Sequence, residues 1–171
     1  MATINGKALV KDGKPLDRAY SNGQLVYSRN YILDTANPKT QTSNGKDNQD
    51  LYNSAVLYSP IKNWGVAGGD YIISFDWTLK TALSSDMQAG IFLNRSPYQG
   101  QSFTVKLGQL KGHVDIKLEL LSSMLTTTQD VTGLTFRINS QMASGNTIMY
   151  SNLFMKSGTL GNYTPAPEDY I

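Results

Sequence analysis

Residues 113–120 alternate almost without exception: Val114, Ile116, Leu118 and Leu120 fall on one parity, and His113, Asp115, Lys117 and Glu119 on the other. An extended strand puts successive side chains on opposite faces, so this run predicts a strand with one face in a core and one in water. Two further stretches repeat the pattern. In 70–77, Tyr71, Ile73, Phe75 and Trp77 oppose Asp70, Ile72, Ser74 and Asp76, and in 134–139, Leu134, Phe136 and Ile138 oppose Thr135, Arg137 and Asn139. Helical periodicity is almost absent elsewhere.

Strands are predicted over 30–34, 54–59, 70–79, 87–95, 102–107, 113–120, 133–139 and 147–156, which suits an all-β antiparallel sandwich of the jelly-roll kind. Residues 37–49, rich in Asn, Lys, Gln and Thr, read as an exposed loop, and 122–130 as one helical turn or a loop. Residues 1–28 read as a separate N-terminal β-hairpin segment: two short apolar stretches lie among Asn5-Gly6, Asp12-Gly13 and Asn22-Gly23, dipeptides that supply the positive φ of tight hairpins. The jelly roll then spans 29–171. A chain of 171 residues with 40% hydrophobic and 16% charged residues buries a core without staples, and none is offered, since it has no cysteine.

A formal charge of +2 with scattered basic residues builds no phosphate-neutralising stripe, so nucleic acid is not an expected partner. No segment has the apolar length of a signal sequence or a membrane span, so cytoplasmic synthesis without membrane insertion is expected. The residues form no Gly-x-Ser-x-Gly elbow, His-Glu-x-x-His pair or phosphate-binding loop, and the single histidine, His113, reads as a surface imidazole. Glycoside hydrolysis needs only two facing carboxylates, for which Asp70, Asp76, Asp115 and Glu119 are the candidates; each also reads as a solvated surface acid.

Sugar binding asks for aromatic rings under the apolar faces of a pyranose and for paired donors and acceptors at its hydroxyls. Trp64 and Tyr98 are the candidate platforms, each in a loop among turn residues. The alternative for each is a ring folded back to plug the end of the sandwich. Trp77 shares its parity with Ile73 and Phe75 and is assigned to the core. Candidate bridging groups are Asn94, Arg95 and Gln99 around Tyr98, with Asp76 and Arg137 from the polar strand faces. No catalytic residue, cofactor or metal is expected, although Asp47, Asn48 and Asp50 offer oxygens that a structural calcium could use.

Three short signatures carry a resemblance: Ser28-Arg-Asn-Tyr-Ile-Leu-Asp34, Asp70-Tyr-Ile-Ile-Ser-Phe-Asp-Trp77, and the ending Tyr150-Ser-Asn-Leu-Phe-Met-Lys156, Gly158-Thr159 and Tyr163-Thr-Pro-Ala-Pro-Glu-Asp169. Their order and spacing resemble the accessory carbohydrate-binding domains in tail-tip and baseplate proteins of phages that infect Gram-positive bacteria. The resemblance implies a galactose-binding-like sandwich on the virion that holds host cell-wall polysaccharide during adsorption, with other phage structural proteins as partners and a homo-oligomer, such as a trimer, as the working form. It transfers no sugar-binding residue, because the matching motifs are framework. The family's exit motif usually carries a Trp where this chain has Tyr163, and its module commonly sits inside a longer chain. An independent accessory protein, an excised fragment and a particle decoration all fit that difference. Two rival readings stand beside adhesion: a structural decoration or cement protein that binds no sugar, and a polysaccharide-degrading enzyme.

Overall fold

The computed structural model describes residues 29–126 and 128–158 in full and, within 2–28, the backbone of the strands. In that first stretch β1 (Ala2–Asn5), β2 (Ala8–Lys11) and β3 (Lys14–Pro15) pair antiparallel in that order, and β4 (Arg18–Ser21) pairs with β5 (Gln24–Ser28). The Gly residues of the three predicted hairpin turns lie outside the described residues, as does the predicted exit motif from Tyr163 to Asp169.

Eight further strands build a sandwich: β6 (Lys39–Thr42), β7 (Gln49–Val56), β8 (Asp70–Leu79), β9 (Met87–Leu93), β10 (Gly100–Val105), β11 (Lys111–Glu119), β12 (Gly133–Ile138) and β13 (Thr147–Ser157). One sheet has the order β10-β9-β12-β7 and the other β11-β8-β13-β6, with antiparallel pairing throughout. Every connection except the β9–β10 hairpin crosses between the sheets, which is the jelly-roll arrangement the alternation predicted. A short helix, Ser122–Thr126, lies between β11 and β12. Among the described residues no helix is long and apolar enough to cross a membrane.

The alternating faces meet between the sheets. Tyr71, Ile73, Phe75 and Trp77 are all buried, as are Ile116, Leu118 and Leu120 opposite them and Leu134, Phe136 and Ile138 from the other sheet. Trp77 is thus the core residue that its parity predicted. Phe75 meets Phe103 and Phe136 edge-on at 5.3 and 5.1 Å, and Phe136 stacks on Tyr150 at 3.9 Å. Such ring pairs add roughly 0.5–1.5 kcal/mol each beyond the area they bury.

Three predicted elements come out differently. Residues 30–34 form no ladder strand; a lone bridge joins Ile32 to Leu57. The segment is held instead by the wholly buried Asn30, whose Oδ1 accepts from the backbone N–H groups of Ile32 (3.1 Å) and Met155 (3.0 Å) and whose amide donates to the Leu153 carbonyl (3.2 Å). Asn30, in the first of the three signatures, is therefore a clamp on the last strand. Residues 37–49 are not wholly loop, because β6 runs through them and covers the edge of β13. The final strand does not alternate to its end either. A bulge at Asn152, whose φ is 51°, shifts the register between Ser151 and Phe154 and turns Leu153 and Met155 inward.

Candidate functional site

The outward face of the β10-β9-β12-β7 sheet is built from the polar parity of its strands. On β9, Met87, Ala89, Ile91 and Leu93 point inward, which leaves Gly90 and Phe92 outside; on β12, Thr135 and Arg137 do the same. Phe92 pairs directly with Thr135 across the two strands, and Gly90 with Arg137. The Phe92 ring lies back over Gly90, where a side chain would collide with it, and against the backbone of Gly100 on β10. The ring thus fills the space above the two glycines, which carry no side chain to displace it.

Beside it, Arg137 closes a two-pronged ion pair with Asp50 of β7: Nε donates to Oδ1 at 2.6 Å and Nη2 to Oδ2 at 2.8 Å. The guanidinium carbon sits 5.3 Å from the Phe92 ring centre. Hydrogen bonds from Arg137 hold the Asp50 carboxyl below its ordinary pKa, and the Tyr52 hydroxyl, which donates to the same carboxylate, is pushed above its own. Tyr52 lies two places on from Asp50, on the same outward parity of β7. Asn53 has a φ of 49°, and β7 spends five residues, Leu51 to Ala55, where β12 spends three, Leu134 to Phe136, an excess of two that leaves the inward parity of Leu51 and Ala55 unchanged. Tyr52 is 72% exposed.

Across the groove stands Tyr98, 61% exposed, at the end of a turn in which its N–H donates to the Arg95 carbonyl at 2.8 Å. Its φ of 53° is left-handed, an uncommon conformation for a bulky residue and one that costs energy. Together Asp50, Tyr52, Phe92, Asn94, Tyr98, Thr135 and Arg137 enclose a cavity of about 330 Å³, near the lower bound of the roughly 300–1,000 Å³ common for small-molecule sites. Thr135 is 6% exposed, and its hydroxyl, on the groove lining, has no hydrogen-bond partner among the described residues.

The predicted set is therefore divided. Tyr98, Asn94 and Arg137 come together in this groove. Asn94 holds its rim more than it presents donors: its amide nitrogen donates to Asn53 (2.7 Å) and Thr132 (3.2 Å), and its oxygen accepts from the Thr132 backbone. Arg95 is exposed but turns back to the Asn94 carbonyl, and Gln99 donates to the Glu119 carbonyl of the facing sheet, so neither lines the groove.

Trp64 is placed elsewhere. It stacks on Tyr31 at 4.1 Å with the planes within 4°, meets Tyr58 and Tyr71, and donates its indole N–H to the Ser59 carbonyl at 2.9 Å. It plugs an end of the sandwich, the alternative that its loop position had left open. Asp76 belongs to the outward face of the other sheet. There it accepts from Asn152 (2.6 Å) and pairs with His113 Nδ1 (2.7 Å), whose Nε2 faces Asp115 (3.1 Å). The Asp76 contact chiefly, against some desolvation, raises the His113 pKa.

The calcium candidates have protein partners: Asp47 accepts from Ser140 and Asp50 from Arg137. Among the described residues no group of three or more acids and histidines is arranged to hold a metal.

Tyr52 and Phe92 were missed as site residues. Phe92 was legible, as an aromatic on the solvent parity two places from a glycine. Tyr52 was not, because it precedes the strand predicted over 54–59, whereas β7 begins at Gln49.

No protein-family model and no curated protein matches the chain. Solved structures do. The tripod from the baseplate of bacteriophage Tuc2009 aligns over 84% of this chain at 14% identity with a TM-score of 0.52, and the alignment covers 61% of that longer chain. A carbohydrate-binding module of the CBM4 group aligns over 85% of this chain and 89% of its own at 13% identity, with a TM-score of 0.44. The xylan-binding CBM22-1 domain of Paenibacillus barcinonensis Xyn10C aligns over 72% and 83% at 7% identity, with a TM-score of 0.37. The tripod likeness is one of fold: a phage baseplate protein carries the same kind of sandwich.

Proposed function

We propose that the groove between Tyr52 and Tyr98 binds sugar rings of a host cell-wall polysaccharide, and that the protein is an accessory adhesion module of a phage tail. The observation that carries this reading is one groove lined by the Phe92 ring over Gly90, by the exposed Tyr52 and Tyr98 and by the Arg137–Asp50 pair. A pyranose has apolar C–H faces and a rim of hydroxyls. Rings accept the faces, while the half-exposed guanidinium of Arg137 meets the rim.

Among the described residues lining the groove, Asp50 is the one acid, and Arg137 occupies both of its oxygens. That supports binding over glycoside hydrolysis, which needs two facing carboxylates. The likeness in fold to a phage baseplate tripod and the resemblance of the three signatures support the tail setting. Adhesion through so small a site is weak per copy, and a homo-oligomer or a symmetric particle multiplies it by avidity of order 10²–10⁴.

Retention of the purified protein on cell walls from Gram-positive hosts tests the proposal. The parent is expected to sediment with the walls and the Phe92→Ala and Tyr98→Ala variants to remain in solution. Equal retention of all three overturns the assigned groove. Failure of the parent on every wall tried overturns sugar adhesion and leaves the decoration reading.

A further inference from the structure

A second cavity of about 340 Å³ adjoins the first at the open side of the sandwich, where β7 ends one sheet and β6 ends the other. Asp34, Pro38, Lys39, Thr40, Tyr52 and Val56 are among its walls. Tyr52 thus belongs to both cavities. Each side of it also carries one acid paired with one base: Asp50 with Arg137 on the sheet face, and Asp34 with Lys39 at 2.5 Å on the flank. Asp34 is further fixed by the Asn37 amide at 2.5 Å and has a φ of 53°, so the flank pair is held by its own turn.

We infer that Tyr52 is the shared wall of two adjacent sugar subsites, and that the polysaccharide is an uncharged chain running off the sheet face past β7 onto the β6 flank. This rests on the sugar-binding reading above. Two cavities of similar size on either side of one exposed ring give a run of sugars a continuous path. Because each subsite contains one cation and one anion, neither gains by accepting a phosphate or a carboxylate; each pair instead offers a donor and an acceptor to neighbouring hydroxyls.

The test uses fragments released by partial hydrolysis from the wall polysaccharide that retains the parent, separated into single sugars, disaccharides and longer chains, and titrated by calorimetry. Parent affinity is expected to rise about five- to tenfold from single sugars to longer chains, the gain of one further ring contact. Thr40→Trp, which fills the flank cavity from the exposed side of β6, is expected to bring long chains down to the affinity of single sugars, and Lys39→Gln to remove part of the gain. Circular dichroism confirms that both variants fold. A parent that binds single sugars and long chains equally, or a Thr40→Trp variant that keeps the full gain, overturns the second subsite while the first stands. A parent that binds no fragment overturns the sugar-binding reading itself.

Discussion

A Cβ built on Gly90 would lie 2.4 Å from Cε2 of Phe92 and 2.6 Å from its Cζ, so the ring occupies the space above the glycine. Gly90 is thus what lets Phe92 lie down. Gly90→Ala is expected to stand the ring up, at a stability cost of about 1–2 kcal/mol, and to lower wall binding as severely as Phe92→Ala does. Denaturant unfolding combined with the sedimentation assay checks this; a Gly90→Ala protein that binds like the parent would show that the ring's pose is immaterial.

Arg137→Ala leaves the Asp50 side chain, 8% exposed, without its guanidinium. An unpaired acceptor of that burial costs about 1–3 kcal/mol. The pair depresses the Asp50 pKa, so its contribution is present above the ordinary carboxylate value of 3.8 and is lost as the pH falls through the lower folded value. Unfolding free energies of parent and Arg137→Ala should therefore differ at pH 6 and converge towards about pH 2. A constant difference would locate the cost in packing.

Trp64 and Tyr98, alike in sequence, should separate on mutation. Trp64→Ala removes a ring stacked on buried Tyr31 and should destabilise by about 3 kcal/mol, with wall retention unchanged at a temperature where the variant is folded. Tyr98→Ala should lose retention with a melting temperature within a few degrees of the parent. The reverse outcome would move the binding site to the end of the sandwich.

His113 lies between two carboxylates, and the raised pKa means that the folded state favours the imidazolium. The stabilisation is fully present below the ordinary value of 6.5 and disappears as the pH rises through the folded pKa. More than half of its side chain is exposed, so the effect is below about 1 kcal/mol. Parent and His113→Gln should differ most near pH 5.5 and least near pH 9; proton NMR titration of the imidazole supplies the pKa directly.

Period-two alternation determined the layered architecture. Wherever a strand keeps its period, as in Tyr71 to Trp77 or Leu134 to Ile138, a residue's face follows from its number, and the buried set was legible. Tyr98 was legible as a candidate from its loop, and Arg137 from its parity. The tertiary structure alone decided the rest. The bulge at Asn152 adds a residue that a strict period does not contain and turns Leu153 and Met155 inward, and β7 begins at Gln49, which brings Tyr52 into the sheet beside Asp50. Which polar faces share a sheet depends on strand order, which pairs residues far apart in the chain: Arg137 meets Asp50, whereas Asp76, on an equally polar face, looks out from the other side of the sandwich. Local pattern fixes which way a side chain points, but strand pairing fixes what it points at.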